Sequence, residues 1–324
     1  MEKALYSPGR GYYTKRSPVG SSGDYYTSPS THPIFGALIS VQLFQMWQIM
    51  GEPKPFTIVE VGSGNGLLKR DVTKYLQHLS KAFYNNLEYV SIDRSEQSKT
   101  RINTDRKRSS YSDIVEFEGR EIEGCVLSNE LIDSFPVHRV RMKEGILQEI
   151  YVTLKNGMFV EKAGPLSTQE LRAYFDLLGV ELPEGHVSEV NLNICRWSKD
   201  VSRILKRGFI VTVDYGGVTG DLYSKSKNQG TLTCFYRHAQ TNNPYLHIGN
   251  QDITSQVNYT TLTQCGLAEG FVNKEYLSQR EFLTNLGFPH FLKRLQLMDT
   301  NGHIKLSNRL SMLDLVSSEG FGEF

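Results

Sequence analysis

Residues 58–72, IVEVGSGNGLLKRDV, read as an apolar strand, a glycine-rich turn and the start of a helix. Gly62, Gly64 and Gly66 alternate along the turn. Glycines packed this closely weaken a fold unless the backbone needs conformations that side chains forbid. Other stretches share the strand's form. FTIVEVG, LEYVSID, GCVLSNE and GFIVTVDYG are short and apolar and end in polar residues or glycine. They alternate with helix-like segments, which predicts parallel strands joined by crossover helices, a doubly wound α/β sheet of Rossmann-like type.

The turn itself narrows the ligand. A nucleotide-triphosphate loop closes with Gly-Lys-Ser/Thr, and Gly66-Leu67-Leu68 does not supply it. A dinucleotide fingerprint needs G-x-G-x-x-G, whereas the spacing here is G-x-G-x-G. Glu60 stands just before the turn. Its carboxylate would repel a pyrophosphate but could accept hydrogen bonds from an ammonium or a ribose hydroxyl. S-Adenosylmethionine offers an α-ammonium, a sulfonium and a ribose, with no phosphate. The acidic-x-G-x-G-x-G pattern resembles the cofactor turn of class I methyltransferases, which release S-adenosylhomocysteine. Asp93 ends the second strand, placed to take both ribose hydroxyls. Nicotinamide enzymes also use an acid there, so Glu60 and the glycine spacing carry the distinction. A tight turn that binds nothing is the bland alternative.

The 324 residues suffice for one large domain, or a core with a substantial insertion. A hydrophobic fraction of 39% and aromatic fraction of 11% can build a sizeable core. The net charge of +1 gives no global attraction to nucleic acid or anionic lipid. The basic run 99–108, KTRINTDRKR, reads as a solvated surface. Cys125, Cys195, Cys234 and Cys265 are scattered. They predict neither a zinc site nor a disulfide framework, and a reducing, cytoplasmic setting. The most apolar stretch, FGALISVQLFQMWQIM, is interrupted by Gln42, Gln45 and Gln48. It reads as a buried helix over 34–50, with Ile34, Leu38, Val41 and Trp47 on one face, and no membrane span is expected. No basic-then-apolar leader follows Met1.

Residues 6–33 read as a long ordered loop rich in Gly, Ser, Pro and Tyr. Val137 to Val160 reads as a strand meander with Asn156-Gly157 as a hairpin turn, and 167–204 as helices. The expected partition has an N-terminal cap and cofactor-covering loop over 1–50. A core follows at 51–136 and 207–324, with an insertion on the acceptor side at 137–206.

With these blocks in place, the chain resembles the MidA family over about residues 5–324. The resemblance rests on GYYTKRSPVGSSGDYYTSP, VEVGSGNGLL, LSNELIDSFPVHRV, VTVDYG and GTLTCFYRHAQTNNPYLHIGNQDITSQVNYTTL, in that order. These are methyltransferases related to the mitochondrial complex I assembly factor that methylates a protein arginine. The resemblance implies a cofactor turn at Gly62, Gly64 and Gly66, with Glu60 and Asp93 as polar anchors. It implies that the loop from Gly23-Asp24 to Pro29 folds over the cofactor, and that Asn129, Glu130 and Asp133 follow the fourth core strand near the methyl acceptor. Ser30 and Ala37 stand where family members often carry carboxylates. The chain begins within a family block and stops at Phe324, where members run on into a last strand. Those ends raise the expectation of a domain from a larger synthase.

Methyl transfer needs alignment of acceptor and methyl and, for many acceptors, a proton acceptor. Glu130 and Asp133 would share a face if the segment after the strand were helical. Glu130 suits a guanidinium, which it could orient and polarise. His138 suits a hydroxyl, because imidazole titrates near neutrality. Without the resemblance, Glu130 is a carboxylate at a helix start, Asp133 serves the turn before Pro136, and His138 is a half-exposed strand residue. His32 is an alternative base or simply part of a helix start. Arg237 and His238 read as a cleft wall or an ordinary strand end, and Asp214 ends the fifth core strand. The resemblance implies a protein arginine as the acceptor. The alternative is a hydroxyl on a small molecule or on a carrier-protein-tethered chain.

Overall fold

Every residue of the strand Phe56–Val61 (β1) is buried in the computed structural model, which describes residues 1–15, 23–95, 110–117, 119–297 and 301–323. A strand buried on both faces needs a neighbour on each edge and helices on each side. Leu87–Ile92 (β2) and Ile122–Asn129 (β4) flank it in parallel register. Ser110–Tyr111 (β3) and Leu205–Val213 (β9) complete a five-stranded sheet of order β3-β2-β1-β4-β9. The four strands read from sequence are β1, β2, β4 and β9, and β3 is added by the structure. Across the sheet, Thr57, Gly124 and Gly208 stand in one row. A Cβ on Gly124 would lie 2.0 Å from the Thr57 carbonyl oxygen, so only glycine lets the strands pair there.

The helix Ile34–Ile49 covers one face of this sheet and is buried all round over its first half, while Gln45, Gln48 and Ile49 are exposed. Trp47 stacks on Phe83 at 4.9 Å between ring centroids, and Phe56 meets the edge of Phe83 at 5.3 Å. Late helices add Leu283, Phe288 and Met312 to the same core. Among the described residues no helix is long and apolar enough to cross a membrane. This sheet and its helices form one compact unit of residues 13–131, 201–213 and 274–324.

A second unit comprises Met1–Tyr12, Ile132–Asp200 and Asp214–Asn273. Here His138–Lys143 (β5), Ile146–Lys155 (β6), Met158–Gly164 (β7) and Val187–Val190 (β8) form an antiparallel sheet of order β7-β6-β5-β8. Asn156 and Gly157, with φ of 52° and 76°, make the hairpin turn that the sequence signals. The helix Glu170–Leu178 packs Leu171 and Phe175 against Val140 and Val190. Gly216–Gly217 (β10) pairs with Val257–Asn258 (β14). Thr233–Tyr236 (β11), Ala239–Thr241 (β12) and Asp252–Thr254 (β13) form a small antiparallel sheet.

These units divide the chain differently from the partition expected from sequence. Residues 214–273 join 132–200 rather than the core, and Met1–Tyr12 joins them too. Hydrogen bonds between the segments are the reason: Val187 N donates to Asn228 O at 2.9 Å and Thr231 N to the Glu189 side-chain carboxylate at 2.6 Å. The expectation of unpaired cysteines is also corrected. Cys195 and Cys265 are joined by a disulfide across 70 positions of sequence, while Cys125 and Cys234 are free and buried. Residues 16–22 of the N-terminal loop and the basic run 99–108 lie outside the described residues.

Candidate active site

At the end of β1 the chain turns through Gly62, Gly64 and Gly66, whose φ angles are 75°, 51° and 76°. That left-handed backbone explains the three glycines. The amides of Gly62 and Ser63 both donate to Ile92 O at the end of β2, at 2.9 and 3.2 Å. Gly66 then opens the helix Leu67–Leu79, with Asn65 Oδ1 accepting from Leu67 N at 3.2 Å. A Cβ on Gly62 would press on Leu131 Cδ1 at 3.0 Å, whereas one on Gly64 would meet nothing within 4 Å. The Gly64 face is therefore open.

Asp93 holds this turn from the neighbouring strand. Its Oδ2 accepts from Gly64 N at 2.7 Å and its Oδ1 from Ser95 N at 2.8 Å. Glu60 lies beneath, only 3% exposed, and accepts from Tyr89 Oη at 2.9 Å. Burial pushes its carboxyl up to about 7, against the pull of the Tyr89 hydrogen bond and the Lys69 charge, with Asp93 adding to the rise. The Lys69 ammonium stands 5.5 Å from the centre of the Tyr89 ring. Asp24 is also buried.

The segment after β4 is not a helix, which corrects the expectation that Glu130 and Asp133 share a helical face. Glu130 takes a left-handed backbone, φ 49°, while its N donates to Val213 O at 2.8 Å. Such a conformation costs a non-glycine residue about 1–2 kcal/mol. Its Oε1 accepts from Asn129 Nδ2 at 3.0 Å and from Ser28 N at 3.3 Å. Downstream, the amides of Ile132 and Asp133 both donate to Asp214 Oδ2, at 2.9 and 3.3 Å, instead of entering a helix. Asp133 accepts a hydrogen bond from Tyr215 Oη. Burial and then the neighbouring Asp214 hold its carboxyl well above the usual carboxylate range, with Asp252 contributing. Glu130 thus belongs with the glycine turn in the first unit, and Asp133 with Asp214 in the second.

His138, at the start of β5, places Nδ1 2.7 Å from Glu149 Oε1. Glu149 Oε2 accepts from Ser167 N at 2.6 Å and Tyr151 Oη at 3.2 Å. Burial pushes the Glu149 carboxyl up, but the hydrogen bonds from His138 and Ser167 outweigh it and hold it below its ordinary value. Sequence reasoning missed Glu149. It becomes visible only through the β5–β6 register, which sets it opposite Val140. At the helix start His32 Nδ1 accepts from Ile34 N at 3.1 Å. Arg237 and His238 form the turn between β11 and β12 at φ 50° and 62°, rather than a strand end. Nearby, Tyr236 stacks on His247 at 4.1 Å.

Residues 38–277 match the model of a family of S-adenosyl-L-methionine-dependent methyltransferases. The chain is 25% identical over 301 residues to a mitochondrial protein arginine methyltransferase NDUFAF7 homolog of Drosophila melanogaster, covering 84% of this chain and 67% of the relative. It is 25% identical over 326 residues to the corresponding protein of Homo sapiens, covering 91% and 70%. A crystal structure from Burkholderia thailandensis bound to S-adenosyl-homocysteine superposes with a TM-score of 0.87 at 26% identity, covering 99% of this chain and 84% of that one. The match spans most of the chain and includes the glycine turn, and the chain belongs to this family of S-adenosyl-L-methionine-dependent methyltransferases.

Proposed function

We propose that this methyltransferase acts on a guanidinium nitrogen of a protein arginine. The observation that carries the reading is Glu130. Its carboxylate is held by Ser28 N and Asn129 Nδ2 on a left-handed backbone, in the same unit as the glycine turn. A left-handed backbone at a residue whose carboxylate is also held by two donors suits a group that must be in place before a cationic acceptor arrives. The relatives named as protein arginine methyltransferases support the same acceptor class.

S-Adenosylmethionine supplies an activated methyl group on a sulfonium when bound. The residues present fit it. Ser63 Oγ and Asn129 Oδ1 are buried without a hydrogen-bond partner among the described residues, and the Gly64 face would accept a ligand without side-chain clash. In this reading Gly62, Gly64 and Gly66 let the backbone approach the cofactor. Asp93 takes the ribose hydroxyls, since a carboxylate has about four acceptor positions and can keep Gly64 N and Ser95 N as well. Glu60, Asp24 and Asn129 complete the polar surroundings, and Glu130 orients the guanidinium. Asp133 and His138 are the further candidates for the acceptor.

A second reading takes a hydroxyl acceptor, on a small molecule or a carrier-protein-tethered chain, and the His138–Glu149 pair favours it. Labelled S-adenosylmethionine and arginine-containing peptides separate the two. Methylarginine in the hydrolysed product, with Glu130→Gln slower by roughly 10²-fold or more, supports the arginine acceptor. Label in a base-stable methyl ether of a hydroxyl compound, with no methylarginine, overturns it. The cytoplasmic setting rested on the cysteines, and the Cys195–Cys265 disulfide removes that ground; fractionation of native cells tests it.

A further inference from the structure

We propose that Gln279 is a positioning residue of the cofactor site: through Ser28 and Glu130 it turns the Asn129 amide so that its oxygen receives the cofactor's α-ammonium. The inference rests on the cofactor reading of the glycine turn and is independent of the methyl acceptor. All the residues it uses belong to the unit of residues 13–131, 201–213 and 274–324, which also carries the turn.

An ionised carboxylate can only accept hydrogen bonds, and Glu130 Oε1 stands 3.0 Å from the Asn129 side-chain nitrogen. The hydrogen-bond partner therefore assigns the amide, with Nδ2 toward Glu130 and Oδ1 turned away. That Oδ1 is buried and has no hydrogen-bond partner among the described residues. A buried amide oxygen left unpaired is costly, so one held in that state marks a place for a donor. The sheet order says which donor. Strands β2, β1 and β4 lie side by side, so Asp93 and Asn129 flank the turn that follows β1 from opposite sides. Leu131, two residues beyond Asn129, lies against Gly62 of that turn. With the ribose on Asp93, the amino-acid end of the cofactor falls on the β4 side, and its α-ammonium is the donor that Asn129 Oδ1 lacks.

Glu130 is itself kept in place by a chain of buried contacts. Ser28 N donates to Glu130 Oε1 at 3.3 Å, and Ser28 Oγ donates to Gln279 Oε1 at 2.9 Å. Gln279 Nε2 donates to Leu315 O at 2.8 Å, so both ends of this amide are committed. Ser28 is fully buried and Gln279 is 2% exposed. Thr27 N donates to Ser30 Oγ at 2.8 Å and staples the one-turn helix Ser28–Thr31, so Ser28 moves with its neighbours as one piece. Gln279 opens the helix Gln279–Asn285. A glutamine needed only to tie that helix to Leu315 would have no use for a serine of the 27–31 turn on its oxygen. Anchored at Leu315, it fixes Ser28, Ser28 fixes the Glu130 carboxylate, and the carboxylate fixes the Asn129 amide.

Calorimetry on the full chain tests this with two ligands, S-adenosylhomocysteine and its analogue lacking the α-amino group. The unaltered protein should bind the first roughly tenfold or more tightly than the second. Ser28→Ala cuts the link to Gln279 and leaves the Gln279–Leu315 bond intact, while Gln279→Met removes both bonds at similar volume. Each should weaken S-adenosylhomocysteine by roughly tenfold and leave the analogue unchanged, closing the gap between the ligands. A purely structural role would weaken both ligands alike, and that result overturns the proposal. Unchanged S-adenosylhomocysteine affinity in Ser28→Ala overturns it too, and this variant decides alone if Gln279→Met does not fold. Equal affinity of the unaltered protein for the two ligands refutes the ammonium contact while the cofactor reading stands. If it binds neither, the proposal falls together with that reading.

Discussion

Replacing Glu60 with Gln should make the protein more stable, and by an amount that depends on pH. The Glu60 carboxyl is buried beneath the glycine turn and pushed up to about 7 from an ordinary 4.5. Between those values the folded protein keeps a proton that the unfolded chain releases. The stability contributed by this group is therefore fully present below the ordinary value and lost as pH rises through about 7. The displacement corresponds to about 3 kcal/mol. A glutamine at this position carries no charge, and its amide oxygen can still accept from Tyr89 Oη. Urea unfolding of both proteins from about pH 4 to about pH 9 isolates the effect, because other titrating groups cancel in the difference. The difference should move in favour of Glu60→Gln by about 3 kcal/mol across that range. A difference that stays flat, or moves the other way, would mean that Glu60 is ionised at no cost, and the burial argument would fail.

Asp93→Ala should reduce S-adenosylhomocysteine affinity at least about tenfold by calorimetry, since each charge-assisted hydrogen bond lost is worth about 1.5–3 kcal/mol; unchanged affinity removes Asp93 from the ribose. Reducing the disulfide between Cys195 and Cys265 frees a loop of 70 positions and should cost about 4 kcal/mol of stability on the chain-entropy model. An unfolding midpoint indifferent to reductant contradicts that pairing. Gly124→Ala should abolish soluble folded protein, because its Cβ would fall 2.0 Å from the Thr57 carbonyl oxygen; a variant with wild-type circular dichroism and melting temperature refutes the close approach.

The glycine turn, the four long core strands and the hairpin at Asn156-Gly157 were legible because each is encoded locally, by periodicity or by a backbone demand that only certain residues meet. What stayed hidden depends on pairing between distant segments. Asp214 captures the amides of Ile132 and Asp133 and so prevents the helix that the spacing of Glu130 and Asp133 suggested. The meeting of Cys195 with Cys265 needs the helices Asn193–Ile204 and Tyr259–Ala268 already in place. Glu149 acquires its link to His138 only through strand register. Residues 214–273 read as core because GFIVTVDYG is a core strand, yet the chain leaves that unit immediately after Val213.

That departure is one of several, for the chain passes between its two units at residues 12–13, 131–132, 200–201, 213–214 and 273–274. During synthesis the sheet cannot gain β9 until the whole of 132–200 has emerged, and Met1–Tyr12 must wait for partners made much later. Contacts so distant in sequence slow folding and lengthen the interval in which unpaired strand edges are exposed. The same weave limits rearrangement by recombination. One exchange at a single cut would join half of each unit to strangers, so either unit of a relative can be transplanted only by moving all three of its segments together.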